Sequence, residues 1–167
     1  MAGRLKAGIT GLALAAALPL LSACAGFTPL YAQQGLAAGM SAIAVDTPQT
    51  RTGYLLREQL EDQLAIRKDT PAQYRLAVVI VEKRRPRGLN PDDTPTRYEL
   101  RLDLTYTLTE VSGGKVVLKG SKPIFISTDA VVQPYASVAA QQDAELRAAT
   151  EAAELIRTDV ALALAGK

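Results

Sequence analysis

Histidine and tryptophan are absent from this 167-residue chain, cysteine occurs once, and aromatic residues make up 5% of it. With no imidazole and a single thiol, the chain cannot build a Ser/His/Asp triad, a Cys/His dyad or a zinc site of imidazole and thiolate ligands. Nor can it form an internal disulfide, so the fold must be held by its core. Carboxylate and Ser/Lys chemistry remain open. The acidic residues Glu58, Glu61, Glu99, Asp103, Glu151 and Glu154 fall singly along expected helix faces and strand edges, which is the pattern of solvated surface charge. Asp92 and Asp93 lie in a proline-rich turn, and no further ligand stands at a metal-binding spacing from them. We therefore expect a protein that is not an enzyme and that needs no metal or cofactor.

An excess of one charge is also missing. The chain has 19 Lys+Arg and 17 Asp+Glu, and two of the cations, Arg4 and Lys6, precede an apolar N-terminal run. Setting those two aside leaves 17 of each sign. Nucleic-acid binding normally needs a marked basic excess, so it is not expected.

The run itself, Ala7 to Leu21, is almost wholly Ala, Leu, Gly and Ile and ends in Leu21-Ser22-Ala23-Cys24. A charged start, an apolar middle and a small-residue exit describe a secretory signal. A membrane-spanning helix needs about 20 apolar residues, so the run is short for an anchor. Leu21 at the third position before the sole cysteine points to a lipoprotein signal, with Cys24 becoming the lipidated amino terminus. Ordinary secretion is the alternative, since Ala23-Cys24-Ala25 also fits a small-x-small cleavage site. Acyl chains on Cys24 would hold the chain stably, because two lipid signals already suffice. Ala25, rather than aspartate, follows the cysteine, which favours the outer membrane. The expected organisation is a signal peptide over 1–23, a lipidated, membrane-proximal segment over 24–35, and a single α+β domain over 36–167.

Within that domain the hydrophobic periods are readable. Ser41 to Val45 reads as a short first strand. Thr50 or Thr52 can cap a helix running to about Ile66, in which Leu56, Leu60 and Leu64 form an apolar stripe. Tyr74 to Val81 alternates as a strand that suits a central position. Tyr98 to Leu108 alternates more strictly, with Leu100, Leu102, Leu104 and Tyr106 against Glu99, Arg101, Asp103 and Thr105, and so requires one buried and one wet face. Ser112-Gly113-Gly114-Lys115 supplies a hairpin turn. Val116 to Ser127 returns, with Gly120 and Pro123 marking a bulge or an edge. A final helix, with Ser137 as its expected cap, carries a stripe of Leu146, Ala149, Ala153, Ile156, Val160 and Leu164 and ends at Gly166. The order β-α-β-β-β-α predicts an α+β fold, with two helices on one face of a largely antiparallel four-stranded sheet.

Lys83, Arg84, Arg85 and Arg87 bring four cations into five residues, and Arg97 lies across the same hairpin. Pro86, Gly88, Pro91 and Pro95 predict an irregular loop from Arg84 to Thr96. Guanidinium groups bind phosphate in bidentate fashion, so these cations are candidates for contact with anionic lipid or an acidic partner. The same cations also suit a solvated hairpin tip that discourages edge-to-edge pairing.

Directly after Cys24 and Ala25 comes Gly26-Phe27-Thr28-Pro29-Leu30-Tyr31. On local grounds, Phe27, Leu30 and Tyr31 could simply pack on the domain beside a proline kink. A cysteine followed closely by Gly-Phe-x-Pro-Leu-Tyr also resembles the start of the LptE family of lipopolysaccharide-assembly lipoproteins, and the element order agrees over the rest of the chain. That resemblance implies a non-enzymatic outer-membrane lipoprotein. It would sit in the lumen of the barrel LptD, help that barrel fold and assist delivery of lipopolysaccharide, with the cluster at Lys83, Arg84, Arg85, Arg87 and Arg97 as the expected contact. A polar barrel lumen suits a compact, neutral domain. Two other readings stay open from sequence: a transport-auxiliary lipoprotein that binds phospholipid or docks on an inner-membrane export complex, and a carboxylate-based envelope hydrolase.

Overall fold

The leucine-and-threonine alternation in the middle of the sequence becomes a long inner strand. The computed structural model describes residues 35–166. A short helix α1 (Leu36–Ser41) leads into strand β1 (Ile43–Asp46) and helix α2 (Arg51–Gln63). Strands β2 (Tyr74–Leu89), β3 (Pro95–Glu110) and β4 (Val116–Asp129) follow, and helix α3 (Pro134–Ala165) closes the chain. The sheet order is β1-β2-β3-β4. β1 pairs parallel with β2, while β2–β3 and β3–β4 are antiparallel. The fold is α+β in the expected order, with α1 added in front.

Parity decides which residues are dry. The even-numbered Leu100, Leu102, Leu104, Tyr106 and Leu108 of β3 are buried, with Leu76 and Val78 of β2 and Ile124 and Ile126 of β4 beside them. The pairings Leu76 with Leu108 and Leu102 with Ile124 place them on one face of the sheet. Successive side chains of a strand point to opposite faces, so the odd-numbered residues form a second, wet face.

The helices cover the even face. Thr50 caps α2 by accepting a hydrogen bond from the Gly53 N–H at 3.1 Å. Leu56, Leu60 and Leu64 are buried as the leucine stripe requires. In α3 the buried stripe is Ala144, Ala148, Ala149, Ala152, Ala153, Ile156 and Val160, whereas Leu146, expected in it, is 43% exposed. Small side chains let a helix axis approach its neighbours closely, and a leucine at that interface would hold it off. α3 begins with Pro134 at its first turn and Gln133 as the cap. Ser137, the expected cap, donates its hydroxyl to the Pro134 carbonyl instead. Proline is favoured at a first helical position because its missing N–H has no partner there in any case. Leu36 and Met40 of α1 are buried, and a Cβ added at Gly39 would lie 3.6 Å from Leu164 near the end of α3.

The loop predicted from Arg84 to Thr96 is not a loop. β2 and β3 stay paired out to Leu89 and Pro95, and only the intervening residues turn. Strand structure survives Pro86 because of where its missing donor points. The Tyr74 N–H bonds to Ala42 on the β1 side, and backbone groups alternate sides along a strand. The even-numbered Pro86 therefore directs its donor-less nitrogen to the edge of β2, beyond Ala77, the last residue that β1 pairs. Gly88 takes φ +64 beside the turn, where glycine has no Cβ penalty.

At the other end of β3, Tyr106 is fully buried and its hydroxyl donates to Asp159 of α3. Lys122 lies 3.8 Å from the same carboxylate. Gly120, paired with Tyr106 across β3–β4, leaves the space that the ring fills. β4 is the outer strand of the sheet, as Pro123 suggested, and the irregularity in its pairing falls at Leu108/Thr109 rather than at Gly120.

Candidate functional site: the open face of the sheet

Because β2 is regular through its basic run, alternation divides the cations. Lys83, Arg85 and Arg87 share the odd face with Arg97 and Arg101 of β3. Arg84 belongs to the opposite, helix-covered side. Its guanidinium lies 4.1 Å from the Tyr98 ring centre and donates to Gln141 of α3 at 3.0 Å. Gln141 donates in turn to Glu145, whose buried carboxylate meets Arg51 of α2 at 2.9 Å. Arg84 thus ties helix to sheet, and the five cations expected to act together are split four to one.

The four on the open face are joined by Arg101, which the sequence reading left out of the site although its odd number would have placed it there. Lys83 lies 3.6 Å from Asp103, Arg87 2.9 Å from Glu99, Arg97 3.2 Å from Asp129, and Arg101 2.7 Å from Asp103. The hydrogen bond from Arg101 holds the Asp103 carboxyl below the usual carboxylate range and raises the Arg101 guanidinium in return. Among the described residues Arg85 makes no ion pair; Glu99, opposite it in register, is engaged by Arg87. Five cations meet three carboxylates on this part of the face, an excess of two. With Arg4 and Lys6 set aside the chain has 17 charges of each sign, so this excess is local. Exposed ion pairs contribute little to stability, and their members remain free to exchange partners for an external anion.

Beside the cations lies apolar surface that the sequence reading did not single out. Val79, Val81 and Phe125 are 59%, 48% and 50% exposed. Arg101 stacks over Phe125 at 5.2 Å. At the far end an open groove of about 590 Å³ lies between the hairpin turn and residues 130–132. Its polar groups already bond one another: Asn90 donates to Thr94 at 3.0 Å, and the Thr94 hydroxyl donates to Asp92 at 2.7 Å. Among the described residues no group of three or more His, Cys, Asp or Glu is placed to hold a metal, and no helix is long and apolar enough to cross a membrane. Cys24 and the motif residues Gly26, Phe27, Pro29, Leu30 and Tyr31 lie outside the described residues.

A meander with one helix-packed face and one open, mixed-charge face defines an α+β domain whose exposed sheet is the candidate binding surface. The model of the lipopolysaccharide-assembly family LptE matches residues 40–160. The chain belongs to that family. It is 43% identical to a Caulobacter crescentus protein of solved structure described as a lipoprotein, covering 79% of this chain and 96% of that one with a TM-score of 0.69. A minor lipoprotein from Acinetobacter baumannii shares the fold at 19% identity, covering 74% of this chain and 92% of that one with a TM-score of 0.55. Lipoprotein B from Nitrosomonas europaea does so at 13% identity, covering 71% and 81% with a TM-score of 0.56. No curated protein matches the chain.

Proposed function

We propose that this chain is an outer-membrane lipoprotein, anchored through Cys24, that plugs and helps assemble the barrel LptD and assists insertion of lipopolysaccharide into the outer leaflet. It acts by binding rather than by catalysis. Family membership supports the role in lipopolysaccharide assembly. The observation that carries the rest is the open sheet face, where five cations stand against three carboxylates. Such a surface can exchange its own ion pairs for the phosphates of lipid A or for the polar wall of a barrel lumen. Affinity purification of the full-length protein from detergent-extracted envelopes tests the reading. A large β-barrel should be recovered in equal amount with it, and the native N-terminal peptide should carry acyl chains on Cys24. Recovery of an inner-membrane export complex in place of the barrel would overturn it.

The division of the cations sharpens the mutational test. Arg85→Glu with Arg87→Glu should weaken lipopolysaccharide binding by at least tenfold at low salt, and less at high salt where exposed charges are screened. The melting temperature should barely move. Arg84→Glu should instead loosen α3 and lower stability, because it breaks the contacts to Tyr98 and Gln141.

A further inference from the structure

The register of the sheet places an apolar patch against the cations. Along β2, the open face runs Ala77, Val79, Val81, then Lys83, Arg85, Arg87. On β4 the residues aligned with Val81 and Lys83, through Asp103 and Arg101, are Pro123 and Phe125. Asp103 and Arg101 of β3 lie between the valines and Phe125; the Asp103 carboxylate is held by Arg101 and Lys83, and the Arg101 guanidinium lies 5.2 Å from the Phe125 ring centre, leaving that ring 50% exposed. β1 reaches only to Ala77, so Val79 and Val81 lie beyond its end, and no described residue covers them.

We propose that this face binds an anionic lipid as a whole amphiphile, with its phosphates over Lys83, Arg85 and Arg87 and the first carbons of its acyl chains over Val79, Val81 and Phe125. The inference rests on the lipopolysaccharide reading and adds to it the seat of the apolar part. The occupant is a doubly phosphorylated, acylated disaccharide. Lys83, Arg85 and Arg87 are successive same-face positions that together span about 13 Å, room for two separate phosphates. Of the three, Arg85 has no carboxylate to release among the described residues. A glycerophospholipid with one phosphate would use only part of this row. A ligand that met only the cations would leave the two valines in water, and transfer of such side chains from water is favourable in proportion to their area.

The test uses the full-length chain in phosphatidylcholine nanodiscs, titrated with lipid A, with fully deacylated lipid A and with phosphatidylglycerol. Val79→Ser with Val81→Ser should weaken lipid A binding by about tenfold, the effect of roughly two buried methylenes. The same variant should bind the deacylated compound as the wild type does. Arg85→Ala should weaken both, and phosphatidylglycerol should bind more weakly than lipid A. Both sites are exposed, so melting temperatures should stay near wild type and report intact folding. Wild-type affinity of the valine variant for lipid A would overturn the acyl seat while leaving the cation reading standing. Loss of affinity for neither compound in Arg85→Ala would instead sink the lipopolysaccharide reading of this face. A valine variant that converts a dimer to a monomer in sedimentation would assign the patch to a second copy of the chain and overturn the proposal.

Discussion

Leu104→Ala should cost about 2–5 kcal/mol of folding free energy, and Leu102→Ala should cost as much. Leu104 is fully buried and Leu102 is 1% exposed; they sit in the middle of β3, beneath the helices and between two paired strands. A cavity at the centre of an inner strand has little freedom to collapse, because both neighbouring strands fix its walls. Thr105→Ala, one residue away on the open face, removes a hydroxyl that water already solvates and should fall within about 0.5 kcal/mol of wild type. Chemical denaturation of the three variants checks the pattern. Equal losses at Leu104 and Thr105 would mean that the faces of β3 are assigned the wrong way round.

That face assignment was readable before any coordinates, because a period of two in β3 admits only one division of its side chains. The leucine stripe of α2 was equally plain, whereas the sequence offered Thr50 or Thr52 as its cap and the structure uses Thr50. Three features were not plain. Helix α1 has six residues, no side-chain cap and no charge in its first turn, so nothing in Leu36–Ser41 signals where it starts. In α3 a period of three and four that contains Ala149 and Ala153 is satisfied by Leu146 as well as by Ala144, Ala148 and Ala152, and the structure buries the alanines. In sequence the basic run has the signature of a loop, because Pro86, Gly88 and Pro95 are ordinarily breakers, yet an unpaired edge and a positive-φ glycine let β2 continue through them. Once the run is a strand, the odd-even rule alone separates Arg84 from Lys83, Arg85 and Arg87, and it adds Arg101. The cationic part of the site was therefore present in the sequence, but its geometry depended on that one secondary-structure assignment.

Gly120→Val should destabilise the protein by about 2–4 kcal/mol although it lies on an edge strand. A Cβ at this position would overlap the ring and hydroxyl of Tyr106. Either β4 must move away from β3, or the ring must leave the pocket in which its hydroxyl meets Asp159. Shrinking the ring side chain relieves the clash, so Gly120→Val combined with Tyr106→Leu should cost less than the sum of the separate losses, as a double-mutant cycle would reveal. Additive losses would mean that β4 yields without disturbing Tyr106. The same pocket has a signature in alkali. Burial above all, and then the Asp159 hydrogen bond, raises the Tyr106 pKa from its ordinary value of 10.0. The folded state therefore keeps a proton that the unfolded chain releases, so this contribution is complete below about pH 10 and is lost as pH rises above it. Tyr106→Phe should flatten the decline of melting temperature in that range relative to wild type.

Helix α3 is a single uninterrupted element of 32 residues, about 48 Å long. Its buried stripe runs from Ala144 to Ala161. Adding or removing one residue inside it would rotate everything beyond by about 100° and replace the stripe with polar side chains. In β2 and β3 a one-residue change would exchange the dry and wet faces. Around β2, β3, β4 and α3, a change of length is thus best tolerated in the turn between Leu89 and Pro95, the turn between Glu110 and Val116, and the segment leading into Pro134. Two of these, the first turn and the segment before Pro134, border the groove at the distal end of the sheet. Lineages of this fold can alter that end by insertion while the cation row and the helix-packed core keep their register.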